Sequence, residues 1–126
     1  MCKILLSINP EHVDNIMAGT KTYEFRKIQC KEKVDKIIIY STSPVMKVVG
    51  EADVEDVIVD NPEQVWNITY AYSGITKAFF DSYYENRDMA VAFKLSNVKK
   101  YKTPKDLSSY GIKNAPQSFV YIWLHV

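Results

Sequence analysis

Gly19-Thr20-Lys21-Thr22-Tyr23-Glu24-Phe25-Arg26 is the stretch on which the fold turns. A glycine just past an apolar helical stripe, followed at once by an alternating run, marks a helix giving way to a strand. Strand alternation puts Tyr23 and Phe25 on one face and Thr22, Glu24 and Arg26 on the other, with Lys21 at the mouth of the turn. One face can feed a core; the other sets a carboxylate between two cations. Lys21, Glu24 and Arg26 are therefore the leading candidate site residues. A surface ion-pair ladder would have the same composition and contribute about 0–1 kcal/mol per pair. The functional reading rests on position, because these charges sit between a helix end and a strand start. A carboxylate beside cations accepts from the exocyclic amino groups of a nucleobase, and Lys and Arg meet phosphate.

Upstream, Lys3 to Ile8 is an apolar run of strand length, and Asn9-Pro10-Glu11 opens a helix. Asn9 can cap free N–H groups, Pro10 suits the first helical position and Glu11 complements the dipole. Val13, Ile16 and Met17 make one buried stripe, and Gly19 ends the helix in the left-handed conformation. Downstream, Lys27 to Asp35 reads as a charged loop. Lys36 to Thr42, with Ile37, Ile38, Ile39 and Tyr40 in a row, is a strand buried on both faces. Ser43-Pro44 turns the chain into a long strand from Lys47 to Val59. Its apolar phase slips near Glu55-Asp56, the pattern left by a β-bulge where a strand bends around a barrel.

Asn61-Pro62-Glu63 repeats the helix opening, with Val65, Trp66, Thr69 and Tyr70 as a face, and Ser73-Gly74 breaks it. Thr76 caps a further short helix whose Phe79, Phe80, Tyr83 and Tyr84 read as a core-facing aromatic stripe. Met89 to Leu95 alternates as a strand. Lys99 to Pro104 reads as a basic connector and Gly111 to Pro116 as an irregular loop, and Phe119 to Val126 is a closing strand. Strands do not alternate regularly with helices, which excludes a doubly wound sheet and favours an α+β, mainly β, small mixed or antiparallel barrel. Five to six strands and two to three short helices are expected, in a single domain over residues 1–126.

The composition fits a globular chain: 47% of residues are hydrophobic, with four Gly and five Pro. The start lacks the length and cleavage pattern of a signal peptide and reads as a first strand in a cytoplasmic protein. Cys2 and Cys30 make neither a disulfide framework nor, with His12 and His125, a zinc site. No metal and no cofactor are expected, and there is no glycine-rich phosphate loop. Neither histidine has a sequence partner for nucleophilic work. Net charge is only +1 but segregated: six acids and no base from Glu51 to Glu63, six lysines against Asp106 alone from Lys94 to Lys113. Such a surface can steer a polyanion or simply be solvated. Ser7, Thr42 and Ser43 at strand ends, and Gln117 and Ser118 before the last strand, have hydroxyl and amide groups suited to reading base edges.

Ser7-Ile8-Asn9-Pro10-Glu11, Gly19-x-Lys21-x-x-Glu24-x-Arg26, Tyr40-x-Thr42-Ser43-Pro44 and Pro116-Gln117-Ser118 together resemble the ASCH domain, a branch of the PUA-like superfamily. The likeness runs from Lys3 to about Tyr121. It implies a PUA-like β-barrel with flanking helices and a cleft beside Lys21–Arg26 that binds single-stranded RNA or a nucleotide, in regulatory or translation-linked roles. The binding set would be Ser7, Lys21, Glu24, Arg26, Thr42, Ser43, Gln117 and Ser118. The alternative the resemblance raises is a hydrolase on RNA or a modified nucleoside, either a ribonuclease or an amidohydrolase, with Lys21 and Glu24 as the catalytic pair. In the amidohydrolase pattern a Thr nucleophile stands three residues after the Lys; here that residue is Glu24, and Ala71 to Ile75 supplies no later Glu. The expectation is therefore a binding module.

Overall fold

A computed structural model of the chain describes residues 2–122. Strand β1 (Lys3–Ile8) leads into helix α1 (Pro10–Ala18), then β2 (Tyr23–Arg26), β3 (Lys36–Ser41) and the long β4 (Lys47–Asp60). Helices α2 (Pro62–Thr69) and α3 (Lys77–Tyr83) follow, then β5 (Ala90–Lys105) and β6 (Phe119–Ile122), with 3-10 turns at Tyr70–Tyr72 and Leu107–Tyr110. The rest of the closing run, residues 123–126 with His125, lies outside the described residues.

The strands form one sheet in the order β2-β5-β4-β3-β1-β6. β1 and β3 are parallel; every other pairing is antiparallel. The expected small mixed barrel takes the form of a curled half-barrel, with β2 and β6 as its two edges. The core follows the pleat. Ile4, Leu6 and Ile8 meet Ile37, Ile39, Ala52, Val91 and Phe93 under Val13 and Ile16 of α1. Leu5, Ile38, Tyr40 and Val48 point the other way, onto the segment around Tyr101 and Leu107. The isoleucine run is thus buried on both faces, as expected. A third cluster packs Tyr23, Phe25, Ala90 and Ala92 against Val65, Phe80 and Tyr84 of the helices.

Local signals behave largely as read. Gly19 caps α1 at φ +83°, Asn61 accepts from the Gln64 N–H at 2.9 Å, and Thr76 accepts from Phe79 at 3.1 Å. Asn9 stands at the N-cap of α1 but its side chain does not cap; Oδ1 instead accepts from the Thr42 hydroxyl at 3.3 Å. The β4–β5 register shifts between Val54 and Asp56, where the apolar phase slips, and also at Val48/Gly50 and Glu51/Asp53.

Lys99 to Pro104 is not a connector. It is the outer half of β5, with Lys99 paired to Glu51 and Lys100 to Gly50. Its exposed lysines carry no apolar alternation, so the strand is hidden in the sequence and is made by its partner. The segregated charge is partly cross-strand complementarity: Lys94 meets Glu55 at 3.0 Å, Lys36 meets Glu51 at 2.5 Å, and the Tyr101 hydroxyl donates to Glu51 at 2.8 Å.

Gly50 marks where α1 and β5 close most tightly on β4. A Cβ there would lie 2.4 Å from the Lys99 carbonyl oxygen and 2.6 Å from Met17 Cε. The backbone oxygen cannot yield as a side-chain tip can. Gly50→Ala is therefore expected to lower unfolding stability by about 1–3 kcal/mol in urea titrations; an unchanged midpoint would contradict this packing.

Candidate functional site

The turn from α1 into β2 is tied down by backbone. Thr20 and Lys21 N–H groups both donate to the Asn15 carbonyl at 3.1 Å, and Thr22 N–H donates to Tyr72 at 2.9 Å. Lys21 is not at an open mouth as expected: only 2% of it is exposed. Nζ donates to the Ser73 carbonyl at 2.7 Å and lies 4.8 Å from the Phe25 ring centroid. Its stem runs against Gly74, where a Cβ would fall 2.5 Å from Lys21 Cβ; with φ at +69°, that position needs glycine twice over. Burial lowers the Lys21 pKa, against the opposing pull of Glu24 and with a smaller push from Arg26.

Glu24 is buried and Arg26 largely so, and the two form an ion pair set into the fold and not a surface ladder. Arg26 Nε donates to Glu24 Oε2 at 3.0 Å, and Nη2 lies 2.9 Å from the same oxygen. The guanidinium continues across the gap in the half-barrel: Nη2 donates to the Ser7 carbonyl at 2.8 Å and Nη1 to the Ser118 carbonyl at 3.3 Å. The Ser7 hydroxyl donates to the Pro116 carbonyl at 2.8 Å. Most Arg26 donors and the Ser7 hydroxyl are thereby committed to holding the segment before β6.

These residues open into a concavity of about 160 Å³. Lys21, Glu24 and Arg26 line it together with Ser7, Asn9 and His12 from the end of β1 and the start of α1 and with Ile75, Phe79 and Tyr83 from around α3. Of the residues expected to bind, Ser7, Lys21, Glu24 and Arg26 come together here. Ser118 takes part through its carbonyl. Thr42 stands behind Asn9 by their hydrogen bond, while Ser43 and Gln117 are exposed and outside the lining. Their strand-end positions alone had suggested convergence.

The residues that sequence reasoning missed are His12, Phe79 and Tyr83. The aromatic stripe of α3 is in fact two i, i+4 pairs. Phe80 and Tyr84 enter the core, while Phe79 and Tyr83 lie stacked at 6.5 Å and 8° along the cavity. Four aromatics at adjacent helical positions cover too wide an arc for one buried face, and that was the available signal. The ensemble can take a small planar group against its apolar side, with an ammonium, a fixed carboxylate and an imidazole nearby.

The family model for the ASCH domain matches residues 6–104, and the chain belongs to that family. It is 30% identical over 92 residues to an ASCH domain-containing ribonuclease of Zymomonas mobilis, a match spanning 72% of this chain and 62% of that protein. The crystal structure of ASCH from Zymomonas mobilis superimposes with a TM-score of 0.86 at 26% identity, covering 98% of this chain and 87% of that one. The chain is also 35% identical over 120 residues to large ribosomal subunit protein uL22 of Ureaplasma parvum, covering 94% of this chain but 39% of that relative's length.

Burial of Lys21 carries a pH signature. Its folded pKa lies below the ordinary 10.5, so the penalty for holding the charge is complete below the folded pKa. It is relieved as pH rises from there toward 10.5, because the unfolded chain then binds the extra proton. Urea unfolding of wild type and Lys21→Met should therefore show wild type gaining on the variant between pH 7 and pH 10. A constant difference, or one of opposite sign, would contradict the burial.

Proposed function

We propose that the cavity binds one nucleotide unit of single-stranded RNA, and that the chain works as a single RNA-binding module in cytoplasmic RNA metabolism. The observation that carries this reading is the concave setting that Lys21 and Glu24 share with the stacked pair Phe79 and Tyr83. A base can lie along the apolar side of the cavity, with its amino edge at the Glu24 carboxylate and a phosphate oxygen at the Lys21 ammonium. Arg26, with its donors engaged, orients Glu24 and leaves the phosphate to Lys21. The volume suits one base and not a stacked run, so neighbouring nucleotides would lie outside. Likeness to an ASCH domain-containing ribonuclease supports an RNA ligand.

A second reading has a specific observation behind it. A buried lysine with a depressed pKa, beside a carboxylate, is a general acid–base arrangement, and a relative sharing this fold is called a ribonuclease. In that reading Lys21 moves the proton and Glu24 is its partner at the same nucleotide.

Fluorescence anisotropy with labelled single-stranded RNA separates these possibilities. Wild type should bind with a shallow salt dependence, a slope of log K against log salt near −1, as for one or two phosphates. Lys21→Ala and Glu24→Gln should each weaken binding about tenfold or more. No binding at low salt, or equal binding by both variants, would sink the proposal. Shortening of the RNA by wild type but not by Glu24→Gln would select the second reading.

A further inference from the structure

His12 lies in the first turn of α1, where it lines the cavity and also the adjoining hollow beside Gly74 and Thr76. Phe79 holds the ring edge-on, with centroids 5.5 Å apart and planes at 69°. Nδ1 is buried without a hydrogen-bond partner, the one side-chain nitrogen or oxygen so placed among the described residues. Buried polar atoms are almost always paired, because leaving one unpaired forfeits its hydration with nothing in return. No described side chain donates to it: the Ser7 hydroxyl is taken by Pro116, Arg26 donates to Glu24, Ser7 and Ser118, and Lys21, with ammonium hydrogens to spare, donates to Ser73 and not to this nitrogen. Nε2 is not so placed. The tautomer with its N–H on Nε2 leaves a lone pair on Nδ1.

We infer that His12 Nδ1 is the acceptor for a hydroxyl or amino donor of the bound nucleotide, which makes His12 a specificity-determining residue of the cavity. The inference rests on the reading of the cavity as a nucleotide site. Two groups on a ribonucleotide fit the requirement: the ribose 2′-hydroxyl and an exocyclic amino group of the base.

The charges around the ring favour its neutral form. Burial acts first, followed by the Lys21 cation, while Glu24 and Glu11 oppose and Arg26 adds a smaller push in the first direction. Protonation therefore begins below the ordinary value of 6.5, and an Nδ1 that has taken a proton can no longer accept.

The test is anisotropy of a labelled single-stranded ribo-oligonucleotide with full-length protein, from pH 5 to pH 7.5. Wild type, His12→Asn and His12→Phe are compared. Asn keeps an oxygen near the Nδ1 position; Phe keeps the ring and removes the acceptor. At pH 7.5 the Phe variant should bind about tenfold more weakly, and the Asn variant within about threefold of wild type. Wild-type affinity should fall as pH drops below about 6.5, with the Asn variant flat over the same range. The 2′-deoxy oligonucleotide separates the two donors. If it reproduces the tenfold loss on wild type, the hydroxyl is the donor; if it binds as RNA does while the Phe variant stays weak, the amino group is. Wild-type binding matched by the Phe variant, or weakening of Asn and Phe variants alike, overturns this assignment alone. Absence of any wild-type binding overturns the cavity reading and the assignment together.

Discussion

The Arg26 guanidinium is the contact on which the rest of the site depends. It sits on the β2 edge of an open sheet and reaches the Ser7 carbonyl of β1 and the Ser118 carbonyl before β6, so one side chain spans the gap that pairing leaves. A buried cation is tolerable only when its charge and its donors are answered, and Glu24 supplies the charge while the two carbonyls supply acceptors. The same interaction fixes the Glu24 carboxylate. Closing the half-barrel and orienting the acid of the cavity are thus one event, and the planar fork of arginine does what a lysine ammonium cannot.

Lys21 shows the opposite economy. Its ammonium has one short hydrogen bond, to Ser73, and an aromatic face, and burial depresses its pKa. Gly74 accepts a left-handed backbone and an open flank to let the stem pass. A hydrophobic side chain of similar length would be easier to bury there. A poorly compensated cation thus stands next to a fully compensated carboxylate–guanidinium pair: Arg26 ties the sheet together, and Lys21 keeps ammonium hydrogens that no described acceptor takes.

Much of the framework was legible because it rests on local rules. The Asn-Pro-Glu starts, the Gly19 cap, the doubly buried isoleucine run and the phase slip at Glu55-Asp56 each express backbone chemistry within a few residues. What failed is what depends on distant partners. The strand at Lys99–Lys105 exists because β4 pairs with it, not because its own residues alternate. Lys21, Glu24 and Arg26 were visible as a constellation, but burial of the first and bridging by the last depend on Ser73, Ser7 and Ser118, each far away in sequence. Thr42, Ser43 and Gln117 shared the polar character of strand ends without sharing the cavity lining. His12 looked unpartnered in the sequence, and the structure turns that into its main point of interest, since Nδ1 is buried and still unpartnered.

The central claim is that RNA engages the concave side, at the turn from α1 to β2, and not the exposed lysines of outer β5. Backbone amide shift mapping of isotope-labelled protein during titration with a short single-stranded RNA tests it most directly. The largest, saturable shifts are expected at residues 7–12, 20–26 and 73–79. Shifts confined to residues 98–113, with the cavity residues unmoved, would contradict it.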